Sequence, residues 1–336
     1  VSDKAFIIGS GGWGTALGIV LSDKFSEVRL WEHDPAYAQQ VNQSRENSHY
    51  LKGVRIADAM SFQNGPEGLG DSDVVVVVAP SQYLRSVVAG LLPHVKAGSL
   101  CVVATKGIEQ GTLMTMSQVV QDEARKLRLP QPRLVSLSGP SHAEEVGRRL
   151  PTTVVAAAER LSDALECQSH FNGSSFRVYT SEDHLGVELG GSLKNVIALA
   201  AGISDGLGLG DNAKAAIMTR GLAEITRLGV ALGAKPATFA GLTGMGDLAV
   251  TCMSRHSRNR SVGERLGKGE AWAEIQKGMK MVAEGVPTSV SARELARKYH
   301  VEMPISEAVY QVVFEGKPAE VALKELMGRL PKGESA

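Results

Sequence analysis

Lys4-Ala5-Phe6-Ile7-Ile8-Gly9-Ser10-Gly11-Gly12-Trp13-Gly14 is the stretch on which the fold turns. An apolar run enters a G-x-G-x-x-G turn directly. Gly9 allows the sharp bend, Gly11 allows the backbone to approach a pyrophosphate, and Gly14 allows the next helix to pack against the strand. That helix, from Thr15 to Leu21, presents unpaired N–H groups and a partial positive charge to phosphates. A glycine motif alone is a weak signal, so its surroundings matter. A second apolar strand, Val28 to Trp31, ends at Glu32. This lies close to the ~20-residue offset at which an acidic residue meets an adenosine ribose. Strand, turn, helix, strand and acid together favour a dinucleotide-binding unit over a glycine-rich turn of another α/β protein.

Working outward, the first half alternates strands and helices. Asp34-Pro35 reads as an N-cap and N1 proline of a helix running through Val41. Asp73 to Val78, Leu100 to Ala104 and Leu134 to Leu137 are apolar on both faces, as in a parallel sheet. Thr153 to Ala158 and Ser175 to Tyr179 read as two further strands, antiparallel at the edge. Ligands of open α/β sheets sit at the carboxyl ends of strands. Gly9–Gly14, Glu32, Pro80-Ser81, Lys106 and Gly139–Ser141 all fall there and should line one crevice. From about residue 183 the pattern becomes helical, with apolar periodicity over 187–201, 213–232, 289–299 and 305–314. The expected fold is therefore α/β: a Rossmann-type doubly wound sheet over 1–182, followed by an all-α substrate domain over 183–336.

Composition narrows the function. The 336 residues carry 36 Lys+Arg against 36 Asp+Glu, for zero formal net charge. No global field draws such a chain to nucleic acid or a membrane surface, and aromatic residues at 5% give little for base stacking. Cys101, Cys167 and Cys252 are scattered and odd in number, which fits a reducing compartment and neither a disulfide framework nor a zinc site. The longest apolar run, Val74 to Ala79, is too short to span a bilayer. No secretory signal opens the chain, and Gly333 to Ala336 carries no retention signal. The expected location is the cytoplasm.

A dinucleotide enzyme that transfers hydride needs a proton donor beside the reacting carbon. Lys194, in Gly190-Gly191-Ser192-Leu193-Lys194-Asn195, sits in an apolar helical stretch where desolvation would lower its pKa into the working range. Taken alone it reads equally as a lysine snorkelling to the surface. Asn195 can orient a substrate hydroxyl or the lysine. Asp247 follows a glycine-rich turn, where it either caps a helix or pairs with Lys194. Arg255, His256, Arg258 and Arg260 fall within six positions and read as a local anion site, or as a solvated basic loop. Lys106 is a third cationic candidate for the crevice.

These segments together resemble the soluble, bacterial-type NAD(P)-dependent glycerol-3-phosphate dehydrogenases. The resemblance runs from Gly9 to about Pro304. It rests on Gly9 to Leu17, with an aromatic residue before the last glycine, and on Ala104-Thr105-Lys106-Gly107 and Ser138-Gly139-Pro140-Ser141. It also rests on Leu189 to Val196, Gly208 to Ala216, Thr219-Arg220-Gly221, and above all Gly244 to Arg260. It implies reversible reduction of dihydroxyacetone phosphate to sn-glycerol 3-phosphate, supplying phospholipid synthesis. Lys194 would be the general acid/base, held by Asp247. Lys106, Gly139, Ser141, Asn195, Asp247, Ser257, Arg258 and Asn259 would surround the substrate, with Arg258 and Asn259 at its phosphate. Gly9, Gly11, Gly12, Trp13, Gly14, Glu32, His33, Lys106, Ala143, Arg258, Val282 and Glu284 would lie along the cofactor. No metal is implied, because an ammonium can polarise the carbonyl.

Two other readings compete. β-Hydroxyacid dehydrogenases of the phosphogluconate type place asparagine four residues after their catalytic lysine. Here that position is Ala198, and the asparagine is Asn195. A non-enzymatic redox sensor would keep the glycine loop but would not need Lys194, Asp247 and Arg258 together. Glu32 would repel a 2′-phosphate and so favours NAD, while His33 leaves NADP open. The apolar helical half is compatible with a homodimer.

Overall fold

The computed structural model describes residues 3–279, 281–331 and 333. The last residues of the helical half, Glu334 to Ala336, lie outside that set, and so does most of the tail read for a retention signal.

Among the described residues, eight strands form one sheet: β1 (Lys4–Ile8), β2 (Glu27–Trp31), β3 (Met60–Gln63), β4 (Val74–Val77), β5 (Leu100–Val103), β6 (Arg133–Ser138), β7 (Thr152–Ala157) and β8 (Phe176–Ser181). Their order is β3-β2-β1-β4-β5-β6-β7-β8. The first six are parallel, and β7 pairs antiparallel with β6. β8 runs parallel to β7, so the reversed edge is a pair of strands sharing one direction. β3 has no counterpart in the sequence reading. Its four residues alternate between buried and half-buried, too short a pattern to separate from a loop.

The valine run of β4 shows why both faces had to be apolar. Val74 and Val76 pack with Ala5, Ile7 and the helix Gly12–Leu21 on one side. Val75 and Val77 pack with Phe6, Ile8 and the helix Leu84–Leu91 on the other. Chain order reverses across the neighbours β1 and β4, and the crevice at their carboxyl ends is where a ligand of a doubly wound sheet belongs. Asp34 caps the helix Pro35–Ser44 as expected, accepting from the N–H groups of Ala36 and Tyr37.

The rest is helical, organised on the long helix His184–Gly206, which is buried over most of its surface. Asp183 caps it by accepting from Gly186 N–H at 3.1 Å. The other expected helices form as Gly210–Ala231, Gly285–Lys298 and Pro304–Phe314. Small residues set the distance that matters for the site. A Cβ on Gly202 would overlap the Arg260 carbonyl, and one on Gly263 would overlap the Leu199 carbonyl. The helix Arg258–Gly267 therefore lies backbone to backbone against the long helix, bringing Ser257, Arg258 and Asn259 beside Asn195. Among the described residues, no helix is long and apolar enough to cross a membrane.

Candidate active site

A cleft of about 600 Å³ runs from the glycine turn, past the carboxyl ends of the central strands, to the helical half. Most residues singled out in the sequence line it. From the sheet side come Gly9, Gly11, Gly12, Trp13, Gly14, Glu32, His33, Lys106, Ser141 and Ala143. From the helical side come Lys194, Asn195, Ser257, Arg258, Asn259, Val282 and Glu284. Asp247 and Gly139 stand one layer behind and act on the cleft through the lysines.

The glycine turn is shaped by close approach. Gly9 has φ +120°, and a Cβ there would come within 2.9 Å of the Ala79 nitrogen and the Val78 carbonyl carbon. A Cβ on Gly14 would overlap the Gly9 carbonyl oxygen. Gly11 differs, since a Cβ there would meet nothing within 4 Å. It would project into free space over the N-terminus of the helix Gly12–Leu21, which it caps without a side chain. A bare helix N-terminus beside an open glycine fits a pyrophosphate. The indole N–H of Trp13 is buried in the same cleft and has no partner among the described residues. Glu32 is buried and already engaged, accepting from Ser10 Oγ and from Asp34 N–H at 3.0 Å. His33 Nδ1 lies 2.6 Å from Oε1, the oxygen that also accepts from Asp34 N–H, with the imidazole largely exposed. Glu32 therefore orders the end of β2 as well as setting the charge there.

The reaction end is built around one buried carboxylate. Asp247 is the first residue of the helix Asp247–Met253. Its side chain does not cap that helix: Oδ1 accepts from Lys194 Nζ at 2.6 Å and Oδ2 from Lys106 Nζ at 2.6 Å. Lys194 leaves only 7% of its side chain exposed, so it does not snorkel. It also donates to Thr251 Oγ1, and Lys106 donates to the Gly139 carbonyl at 3.1 Å. An ammonium has three N–H donors. Each lysine thus spends two on the protein and retains one for a ligand.

Burial dominates the titration of these groups. It lowers the Lys194 pKa to about 8, with Lys106 adding to the shift and Asp247 opposing it. For Asp247, burial works to raise the pKa, but the charges of Lys106 and Lys194 prevail and hold it below its ordinary value. Arg258 is crowded by protein, which lowers its pKa against the pull of Glu284 and Glu144; its accessible surface opens on the cleft. It donates Nη1–H to the Val282 carbonyl at 2.9 Å. Glu284 is raised by burial, although it accepts from Ser81 N–H at 2.9 Å and from Ser81 Oγ. That contact joins the end of β4 to the helical half.

Three sequence-based readings change. The basic run 255–260 is not one anion site: His256 and Arg258 face the cleft, while Arg260 turns away to Asp205 at 2.7 Å. Asn195 does not hold Lys194. Its Oδ1 accepts from Asn259 Nδ2 at 2.9 Å, and Asn259 Oδ1 accepts from Gly285 N–H at 2.9 Å. The two asparagines fasten the helices together at the cleft wall. Ser257 caps the helix Arg258–Gly267 by accepting from Arg260 N–H at 3.2 Å, so its hydroxyl has a structural task in addition to lining the cleft. Thr251 is not among the residues singled out from the sequence. Its signal was the i, i+4 spacing from Asp247, which puts both on one helix face.

A doubly wound sheet, a glycine turn and a buried lysine–carboxylate pair in one cleft define a nicotinamide-dinucleotide oxidoreductase of the two-domain Rossmann class. Comparison with known proteins gives the family. Residues 4–164 match the model described as NAD-dependent glycerol-3-phosphate dehydrogenase N-terminus, and residues 183–324 match the one for its C-terminus. A Bacillus anthracis glycerol-3-phosphate dehydrogenase [NAD(P)+] is 50% identical over 332 residues, covering 98% of this chain and 97% of the relative. The crystal structure of glycerol-3-phosphate dehydrogenase from Coxiella burnetii superposes with TM-score 0.92 at 35% identity, covering 98% of this chain and 99% of that one. The yeast enzyme GPD1 superposes with TM-score 0.81 at 26% identity, covering 98% and 100%. The chain belongs to the NAD-dependent glycerol-3-phosphate dehydrogenase family.

Proposed function

We propose that this protein interconverts dihydroxyacetone phosphate and sn-glycerol 3-phosphate using NAD or NADP. The observation that carries the reading is the Lys194–Asp247–Lys106 cluster, buried at the strand ends, with Arg258 on the same cleft. When bound, the dinucleotide supplies or accepts the hydride. The chain's own residues do the rest. Gly11 and the N-terminus of the helix Gly12–Leu21 receive the pyrophosphate. Arg258, with donors left after its bond to Val282, meets the substrate phosphate, and the free N–H of Asn259 assists. Binding energy from the phosphate positions the carbonyl carbon. The remaining N–H of Lys194 points its proton at the carbonyl oxygen and stabilises the alkoxide as it forms. Asp247 and Thr251 hold that ammonium in place. Lys106 contributes a second positive charge and its own spare donor.

Dividing the chain at residue 183 assigns most cofactor contacts to the first part and most substrate contacts to the second. The negative charge of Glu32 favours NAD over NADP, and comparing kcat/KM for NADH and NADPH measures that preference. Three free, buried cysteines support a reducing, cytoplasmic setting. The apolar helical half supports pairing of two copies, which sedimentation would test. Loss of NADH absorbance on adding dihydroxyacetone phosphate, with only a slow loss on adding dihydroxyacetone, is the result expected. Equal rates with both would overturn the phosphate-ester assignment.

A further inference from the structure

Arg258 is aimed by the bond that its Nη1–H makes to the Val282 carbonyl, at 2.9 Å. The guanidinium therefore stands where the stretch Met281 to Glu284 puts that carbonyl. Gly285 N–H ties the end of this stretch to Asn259 Oδ1 at 2.9 Å, within the helical half. Glu284 ties it to the sheet half, accepting from Ser81 N–H at 2.9 Å and from Ser81 Oγ. The second tie sets the stretch relative to the strand ends, where a doubly wound sheet receives its cofactor. The charges of Glu284 and Arg258 also act on each other directly.

Ser81 lies in the turn after β4 and is buried. A Cβ on Gly107, in the turn after β5, would overlap the Ser81 Cβ, so the two turns are in contact. The Ser81 hydroxyl is directed. Its Oγ accepts from Gln82 Nε2 at 3.2 Å, which leaves its own proton for Glu284. Gln82 Oε1 accepts from Gln110 N–H at 3.1 Å, and Gln110 Nε2 donates to the Pro287 carbonyl at 3.2 Å. Pro287 belongs to the first turn of the helix Gly285–Lys298, directly after Glu284. The bonds thus close a ring that starts and ends at one helix end and passes through both strand turns. Moving the Glu284 carboxylate strains several bonds at once, so the ring fixes it more closely than one contact would.

We infer that Ser81 is a positioning residue for the substrate phosphate: by holding Glu284 from the sheet side it places the Val282 carbonyl, and through that carbonyl the Arg258 guanidinium. This rests on the phosphate-ester reading above and adds the part of the sheet half that aims the anchor. Ser81 itself touches neither the phosphate nor the reacting carbon. Its effect should therefore appear only with a substrate that uses Arg258.

The test compares dihydroxyacetone phosphate with unphosphorylated dihydroxyacetone in the full-length enzyme at saturating NADH. Ser81→Ala removes the hydroxyl and keeps the N–H. One charge-assisted hydrogen bond to Glu284 is lost, and kcat/KM for dihydroxyacetone phosphate should fall by about tenfold, mostly through KM. The slow reaction of dihydroxyacetone should change by less than about twofold, because it has no phosphate for Arg258 to hold. Ser81→Thr, which restores a hydroxyl, should recover most of the loss. A merely structural role would lower both substrates together, and that outcome overturns the inference. So does an unchanged kcat/KM for dihydroxyacetone phosphate in Ser81→Ala. If that variant does not fold, Gln82→Leu decides on the same terms, since it removes the donor behind the Ser81 hydroxyl and leaves Ser81 in place. A parent enzyme that does not oxidise NADH with dihydroxyacetone phosphate overturns the functional reading, and the inference with it.

Discussion

The two ends of the cleft recognise their ligands by opposite means. At the glycine turn the chain works by removing side chains: Gly9, Gly11 and Gly14 let backbone meet backbone and leave room for a phosphate. At the reaction end it works by burying side chains that resist burial, with Lys194 and Asp247 both almost wholly enclosed. The first end is a matter of shape, and its elements are consecutive in the chain. The second is a matter of charge, and its members come together from far apart, with Lys106 and Asp247 separated by 141 positions. Damage to the first should appear in folding and cofactor binding. Damage to the second should appear in turnover and in the pH profile.

Lys194→Ala separates the two ends most strongly. Losing a positioned general acid costs about 10²–10⁴ in rate, and turnover should drop by at least a thousandfold, since the variant also loses the nearest charge on the carbonyl. NADH affinity, measured by quenching of tryptophan fluorescence, should stay within about threefold, because the glycine turn is untouched. A variant that kept a tenth of the parent kcat would break the division of labour. Gly14→Ala attacks the other end. The added Cβ overlaps the Gly9 carbonyl oxygen, and forced overpacking of this kind costs about 1–3 kcal/mol. Denaturant unfolding should show that loss together with weakened NADH binding. Unchanged stability would mean that the turn relaxes more freely than its contacts imply.

Arg258→Ala tests the phosphate anchor within the charged end. A charge-assisted, bidentate contact is lost, so kcat/KM for dihydroxyacetone phosphate should fall about a hundredfold. The rate with unphosphorylated dihydroxyacetone, already low, should hardly change. A parallel fall in both would show that the arginine acts on the carbonyl or the cofactor.

The same contrast explains what the sequence made legible. The turn and the strands β1, β2, β4, β5 and β6 could be read because local rules govern them: glycine spacing, apolar runs on both sheet faces, an N-cap before proline. β3, four residues long, fell below the length at which periodicity discriminates. At the reaction end, Lys194 read equally well as a snorkelling lysine and Asp247 as a helix cap, because nothing local distinguishes a paired buried charge from a solvated one. Only the tertiary contact decides, and the resemblance to a family carried that information where spacing did not. The basic run at 255–260 reads as an anion site or as a solvated loop for the same reason. Its periodicity alone does not say that Arg260 is spent on Asp205, across a helix interface made by glycines. Thr251 is the exception at this end, because its offset of four from Asp247 places both on one helix face.

The smallest effect is the most diagnostic of the charged end. With the Lys194 pKa at about 8, carbonyl reduction uses the protonated ammonium, so its kcat should decline as pH rises through about 8, and glycerol phosphate oxidation should gain over the same interval. The two neighbours of Lys194 push this limb in opposite directions. Asp247 raises the lysine pKa and Lys106 lowers it. Asp247→Asn removes the stabilising carboxylate, so the limb should move to lower pH. Lys106→Met removes a competing cation, so the limb should move to higher pH, whatever the loss in substrate affinity. Opposite shifts in the two variants are what a buried lysine between an anion and a cation requires. Shifts of the same sign would mean that desolvation changes in the variants outweigh the charges, and that the carboxylate's main task is to hold the ammonium in position rather than to tune it.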